Sequence, residues 1–126
     1  LLLLSQMDSY FEQILRFEQK KADAGLFMSD VNCQKVIMGC EVWTKHPHDN
    51  FLYDTFCSRL KQVKGLSAKE QKEYESKHKK MMEEHVIPAY QCLASGLTKL
   101  MGKGRNDWGL CYYKDGADYY EALLCA

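Results

Sequence analysis

Apolar side chains recur every three to four residues over most of this chain, and that spacing leaves few folds open to it. In the amino-terminal stretch they are Leu3, Met7, Tyr10, Ile14 and Phe17, with Leu4, Phe11 and Leu15 beside them. Residues at this spacing lie on one face of an α-helix. Lys20 and Lys21, followed by Gly25, are typical of a helix end. The pattern predicts a first helix from about Leu2 to Ala24 with this face turned inward.

Two shorter helices are predicted next. Ser29 or Asp30 can cap a helix that runs to about Lys45, where Pro47 follows. Its predicted inner face consists of Cys33, Val36, Ile37, Cys40 and Trp43. Asp49 or Asn50 can cap a third helix, which ends before Gly65. The apolar residues of that helix are Leu52, Phe56, Leu60 and Val63.

The longest helix is predicted to begin at Ser67, because Ser67 and Glu70 have the spacing of a capping box. Its inner face is predicted to contain Tyr74, His78, Met81, Met82, His85, Ala89, Leu93, Leu97 and Leu100. Pro88 falls inside this pattern, where it removes a backbone hydrogen bond and crowds the preceding turn. We therefore expect the helix to continue with a kink near Glu84 to Ile87.

The carboxyl-terminal part has a loop and one more helix. The stretch from Gly102 to Asp115 lacks a helical period and is predicted to be a loop, and Ala117 to about Cys125 is predicted to be helical. Only two prolines and eight glycines occur in the 126 residues. The prediction is an all-α bundle of about five helices with one long proline-kinked helix. Residues 1–126 would form a single helical domain, or a fragment of a larger helical protein, since the first helix starts without a cap and the last helix has no stop signal.

Charge and cysteine content narrow the range of partners. Seventeen basic and seventeen acidic residues cancel, so neither nucleic acid nor an anionic membrane surface is a favoured partner. No apolar run approaches the roughly 20 residues of a membrane span. Six widely spaced cysteines are predicted to be free structural thiols, which favours a reducing compartment.

No complete metal site or catalytic group is predicted in this chain. His78 and His85 are too far apart on a helix to share one ion easily, and the run from His46 to Asp49 offers three ligands without a fourth. Cys33 and Cys40 lack the spacing of a Cys-x-x-Cys motif. A small metal or redox protein that uses these cysteines and histidines stays a minor alternative.

Tyrosines and one tryptophan are concentrated near the predicted loop. They are Trp108, Tyr112, Tyr113, Tyr119 and Tyr120. Such rings bury a large apolar body and keep a polar tip, so they either pack a corner of the core or line a ligand cleft.

Four segments together resemble a bacterial domain-of-unknown-function family, number 885. The segments are Ala24–Asp30, His48–Leu52, Val86–Tyr90 with Leu93, and Asp115–Leu124. They span nearly the whole chain in the family's order. The most specific are the Val-x-Pro-Ala-Tyr turn that begins at Val86 and the Gly-x-x-Tyr-Tyr sequence that begins at Gly116.

The resemblance implies a piece of a larger helical protein that is similar to gluzincin-type zinc metallopeptidases. The family's His-Glu-x-x-His helix would lie outside these residues, so this segment would lack catalytic residues, bind no cofactor and leave zinc to the parent. It would serve as scaffold or as a wall of the substrate cleft, with the remainder of the parent polypeptide and a peptide substrate as partners. Tyr119 and Tyr120 would be the substrate-contacting residues. Proteins of this family are often exported, which leaves the compartment open. The alternative from a different class is a self-contained helical protein-interaction module that docks a partner helix in an apolar groove.

Overall fold

The computed structural model describes residues 1–45, 50–105, 109 and 113–125, and this part of the chain is all-α without a strand. The helices are α1 (Met7–Asp23), α2 (Asp30–Lys45), α3 (Phe51–Leu60), α4 (Ala68–Met81), α5 (Ile87–Leu100) and α6 (Gly116–Cys125). A 3₁₀ turn, Leu4–Gln6, precedes α1, and a π-helical turn, Met82–Val86, joins α4 to α5. Because α4, the π turn and α5 form one continuous rod, the predicted bundle of about five helices is confirmed.

Helix α5 lies at the centre of the fold, with α1 and α2 packed on it. Leu93, Leu97 and Leu100 of α5 are buried, and Leu97 is only 2% exposed. The other buried members of the core cluster are Phe11, Ala22, Phe27, Cys33, Ile37, Cys40 and Ala89. The core is thus an apolar seam along α5, as the spacing of its leucines predicts.

The proline in the long helix coincides with a change of helical type. Pro88 has no N–H to donate to the carbonyl of Glu84, and a regular α-helix would leave that carbonyl without its partner. The backbone N–H of Ile87 instead donates to the carbonyl of Met82, five residues earlier, within the π turn. The irregularity predicted near Glu84 to Ile87 is therefore present, and its form is a π turn.

Helix α1 faces the core with only part of the side that was predicted to point inward, the part with Met7, Phe11, Ile14 and Leu15. Phe11, Glu18 and Ala22 are buried, whereas Tyr10 is 58% and Phe17 is 61% exposed. The helix is turned so that the side of Phe11 and Leu15 approaches α5. Gly96 permits this approach, because a Cβ at Gly96 would overlap the side chain of Leu15. The prediction that Tyr10 and Phe17 point inward is wrong for this reason.

Helix α3 packs on α4, and the caps in this region form as predicted. The side chain of Asn50 accepts a hydrogen bond from the N–H of Leu52 at 3.0 Å. Ser67 and Glu70 make both hydrogen bonds of the capping box. Two inward predictions are wrong here, since Val63 is 50% and Tyr74 is 41% exposed. Val63 lies beyond the end of α3 at Leu60, where the helical period no longer applies.

Candidate functional site

The two tyrosines predicted to contact substrate lie in the first half of α6. Tyr119 is 57% and Tyr120 is 55% exposed. Tyr119 lines a shallow depression of about 350 Å³ together with Tyr113, Lys114, Asp115 and Gly116, and Tyr120 is not part of that lining. Neighbouring residues on a helix point about 100° apart, so the two rings serve different surfaces. Trp108 and Tyr112, the other aromatic residues of this group, lie outside the described residues.

A larger cavity, of about 450 Å³, lies at the turn between α1 and α2. Its walls come from the end of α1, the turn, the first residues of α2, and two residues of the later loop. The lining residues are Lys21, Leu26, Phe27, Met28, Ser29, Val31, Asn32, Gly109 and Tyr113. The lining of this cavity therefore combines apolar side chains with polar ones and one ammonium group, that of Lys21.

The ammonium group of this cavity belongs to a largely buried ion pair. The Nζ of Lys21 lies 2.9 and 3.0 Å from the two carboxylate oxygens of Glu18, and the Glu18 side chain is only 11% exposed. A buried carboxylate needs such a partner, because an uncompensated charge in the interior is costly. The sequence reasoning missed Glu18, although it stands four residues before Ala22 and seven after Phe11 on the buried line of α1.

One wall of the cavity is held by contacts between distant parts of the chain. The carboxylate of Asp30 accepts a hydrogen bond from the backbone N–H of Gly102 at 2.8 Å. Gly104 lies so close to the turn that a Cβ there would be 2.5 Å from the carbonyl oxygen of Met28. The loop after α5 is thereby fixed against the turn before α2. The predicted helix stop and turn at Gly102 are also present, and Gly102 has a φ of +78°.

The two histidines of the long helix have separate environments. The Nδ1 of His85, in the π turn, lies 3.0 Å from a carboxylate oxygen of Asp8 in the first turn of α1. The hydrogen bond with His85 lowers the pKa of Asp8. His78 is 3% exposed, and its ring stacks on Phe56 of α3 at 4.1 Å between centroids. His85 thus makes a hydrogen bond to a neighbouring helix, whereas the Nδ1 of His78 has no partner within the described residues.

The described cysteines are free thiols. Cys33 and Cys40 are buried, and burial raises the pKa of both thiols, so they stay protonated and apolar near neutral pH. The Sγ of Cys33 donates a weak hydrogen bond to the carbonyl of Leu97 at 3.6 Å. Cys92 and Cys125 are exposed and lie on different helices. Cys111 and the run His46–Asp49 fall outside the described residues.

The described ranges contain neither a cluster of metal ligands nor a helix that could cross a membrane. In residues 1–45, 50–105, 109 and 113–125, no three His, Cys, Asp or Glu side chains converge on a point where they could hold one metal ion. None of the helices in these ranges combines the length and apolar character that crossing a membrane requires.

The arrangement therefore offers binding surfaces: one cavity with a paired ammonium group, one shallow depression beside α6, and several exposed apolar helix faces. Comparison of the chain with family models, curated proteins and solved structures found no match in any of the three.

Proposed function

We propose that this chain is a helical scaffold whose outward apolar faces are covered by further protein, in a longer polypeptide of the zinc-metallopeptidase-like kind. The observation that carries the proposal is the number of large apolar side chains on the outer surface of helices that already bury another face in the core. Scattered exposed apolar residues are normal, but aligned ones indicate a contact surface.

The clearest case is α1 with the turn that precedes it. Leu3, Tyr10 and Phe17 are 80%, 58% and 61% exposed. Tyr10 and Phe17 are seven residues apart, which brings them to the same side of α1, beside the buried line of Phe11 and Ala22, and Leu3 immediately precedes the 3₁₀ turn before this helix. A helix with such a second stripe is suited to lie between its own core and another element. We assign this α1 stripe (Leu3, Tyr10, Phe17) to contact with the remainder of the parent polypeptide.

The metallopeptidase part of the proposal rests on the resemblance of the four sequence segments. In that setting, residues of the parent would hold zinc. This chain would serve as a scaffold and would form part of the wall of the substrate cleft. Tyr119, beside the depression of about 350 Å³, would contact peptide substrate as one wall of the cleft. Tyr120 would contact it from the adjacent side of α6.

The test compares the 126-residue chain with the complete translation product of its gene. We expect stoichiometric zinc and peptide hydrolysis only in the complete product, and we expect hydroxyl-radical labelling of Phe17 to fall there relative to the 126-residue chain. Phe27, which is 1% exposed, is the internal control and should be labelled weakly in both. Equal labelling of Phe17 in the two proteins would count against the scaffold, and a complete product without zinc would count against the peptidase context.

The second candidate function is a self-contained helical protein-interaction module. Helix α6 favours it, because its apolar residues are exposed and it bears two acidic residues without a basic one. If this candidate is right, the complete translation product will contain no zinc-binding helix, and the 126-residue chain will bind a partner helix by itself.

A further inference from the structure

Helix α2 is apolar on two opposite faces. One face buries Cys33, Ile37 and Cys40 against α5. The opposite face carries Val31, Met38 and Val42, which are 66%, 56% and 71% exposed. Their spacing of seven and four residues aligns them along the helix. A helix that is apolar on both sides is typical of one that is covered on both sides.

A glycine on the same outward side is a second, independent sign of a missing neighbour. Gly39 lies in the interior of α2, where glycine is less favourable than alanine. Among the described residues, a Cβ at Gly39 would meet nothing within 4 Å, so no contact seen there requires the glycine. Glycine in a helix allows another backbone to come close. At Gly39, the outward face of α2 therefore has room for the backbone of another helix to approach closely.

Helix α6 has complementary properties. It has only 10 residues, and helices of this length are unstable in water without packing. The apolar residues of its second half, away from the two tyrosines assigned to substrate, are nevertheless exposed. They are Leu123 (54%) and Leu124 (70%).

Charged residues on the outward face of α2 and on α6 are opposite in sign. Lys35 lies among the exposed apolar residues of α2 and forms no ion pair within the described part of the chain. Helix α6 carries Asp118 and Glu121 and no basic residue. Opposite charges on facing surfaces set the register and orientation of an association, and like charges oppose it.

We propose that the outward face of α2 (Val31, Lys35, Met38, Gly39, Val42) binds α6 of a second copy of this chain. The binding is reciprocal, because α6 of each copy binds α2 of the other. The dimer therefore has two α2–α6 contacts, which are related by a two-fold axis. In each contact the apolar side of α6 covers Met38 and Val42, the α6 backbone passes near Gly39, and Glu121 lies opposite Lys35. This inference rests on the proposed scaffold function and names the partner for two of its apolar surfaces.

The test is the oligomeric state of the 126-residue chain, measured by sedimentation over a range of protein concentrations. We expect a concentration-dependent dimer. Lys35→Glu and Glu121→Lys should each raise the dimer dissociation constant by about tenfold or more, because each puts like charges in contact. The double variant, K35E with E121K, should restore association. Lys20→Glu, the same charge change on α1, is the matched control and should leave association unchanged.

Gly39→Gln gives a second test that does not depend on charge. Because open space surrounds Gly39, circular dichroism should show an intact fold, while the longer side chain should abolish the dimer. A chain that stays monomeric at all concentrations, or single and double charge variants that behave alike, would overturn the proposal. Neither result bears on zinc content or on the labelling of Phe17, so the scaffold proposal would be judged separately.

Discussion

Gly104 and Gly39 show how differently one residue type can act in two places. Gly104 lies against the backbone of Met28, which cannot move aside without distorting the turn between α1 and α2. Gly39 lies on the open side of a helix. The sequence identifies both as glycines, but only the packing of the loop after α5 against that turn distinguishes a steric requirement from a free position.

We predict that Gly104→Ala lowers the free energy of unfolding by about 1–3 kcal/mol, the usual cost of forcing extra volume into a close contact. Gly39→Ala, the matched control, should raise it by about 0.5–1 kcal/mol, because alanine is the better helix former. Urea unfolding at protein concentrations that keep the chain monomeric gives both values. Similar effects of the two substitutions would show that the loop does not lie against Met28.

The sequence predicts contacts between neighbouring residues better than contacts between residues that are far apart in the chain. The caps at Asn50 and Ser67 are local, since each joins groups within three residues, and both were predictable. The partner of His85 is Asp8, 77 residues away, and no local pattern indicates it. Glu18 was missed because a carboxylate is normally assigned to the surface, and its burial depends on Lys21 and on the rotation of α1.

At the scale of elements, His78 of α4 lies in the contact between the long helix and α3. The ring of His78 stacks on Phe56 and meets the edge of the Tyr53 ring at 5.3 Å. The ionisable groups near this contact include Cys57 and Asp54 of α3, Lys61 just after it, and Glu75 and Glu83 on the long helix, and none of them is hydrogen-bonded to the buried ring. Burial lowers the pKa of His78 from its ordinary value of 6.5, because nothing replaces the water that would stabilise its charged form.

This contact predicts a loss of stability in mild acid. In the unfolded chain His78 takes up a proton as the pH falls below 6.5, whereas in the folded chain its lowered pKa keeps it neutral to lower pH. Unfolding therefore binds a proton in this range, and the free energy of unfolding decreases as the pH falls. The contribution of neutral His78 to the free energy of unfolding is fully present above pH 6.5 and is lost as the pH falls toward the lowered pKa of His78.

His78→Leu should remove this part of the pH dependence while it keeps the apolar contact with α3. Hydrogen exchange should show earlier opening of α3 at pH 5.5 than at pH 7.5 in the unmodified chain, and equal opening in the variant. His85→Gln, at the partly exposed histidine beside Asp8, is the control and should retain the acid-induced opening of α3. An unchanged response in His78→Leu would remove His78 as its cause.

The elements themselves were predictable wherever one apolar face dominates. The inner residues of α5 were all identified from their spacing, because this helix has neighbours on several sides and buries its whole leucine line. Helix α1 has two apolar lines, and the sequence placed both inward, although Tyr10 and Phe17 are exposed. The choice between them depends on Gly96 of α5, which lets the side of Leu15 approach closely.

For the whole molecule, the decisive relation is that α5 supports both α1 and α2, while α3 rests on α4 and α6 has only Gly116 buried. The periodicity of the sequence predicts the number of helices but not this arrangement, because contacts between α2 and α5 join residues far apart in the chain, as in the hydrogen bond from Cys33 to Leu97, 64 positions away. An apolar helix face that is buried and one that is exposed also have the same spacing of residues in the sequence. The candidate binding surfaces, on the outer sides of α1, α2 and α6, therefore appear only once the packing is known.

Because α5 lies at the centre of the fold, truncation of one of its buried leucines should lower the free energy of unfolding far more than truncation of a leucine of α6. We predict that Leu97→Ala lowers the free energy of unfolding by about 2–5 kcal/mol, because it removes buried methyl groups between α1 and α2 and leaves a void. Leu123→Ala deletes the same atoms from a side chain that is 54% exposed and should change the monomer by no more than about 0.5 kcal/mol. Urea unfolding of both variants in dilute solution tests this difference. Equal losses would mean that α6 is packed as firmly as α5 within one chain, and its apolar side would then be unavailable to a second copy.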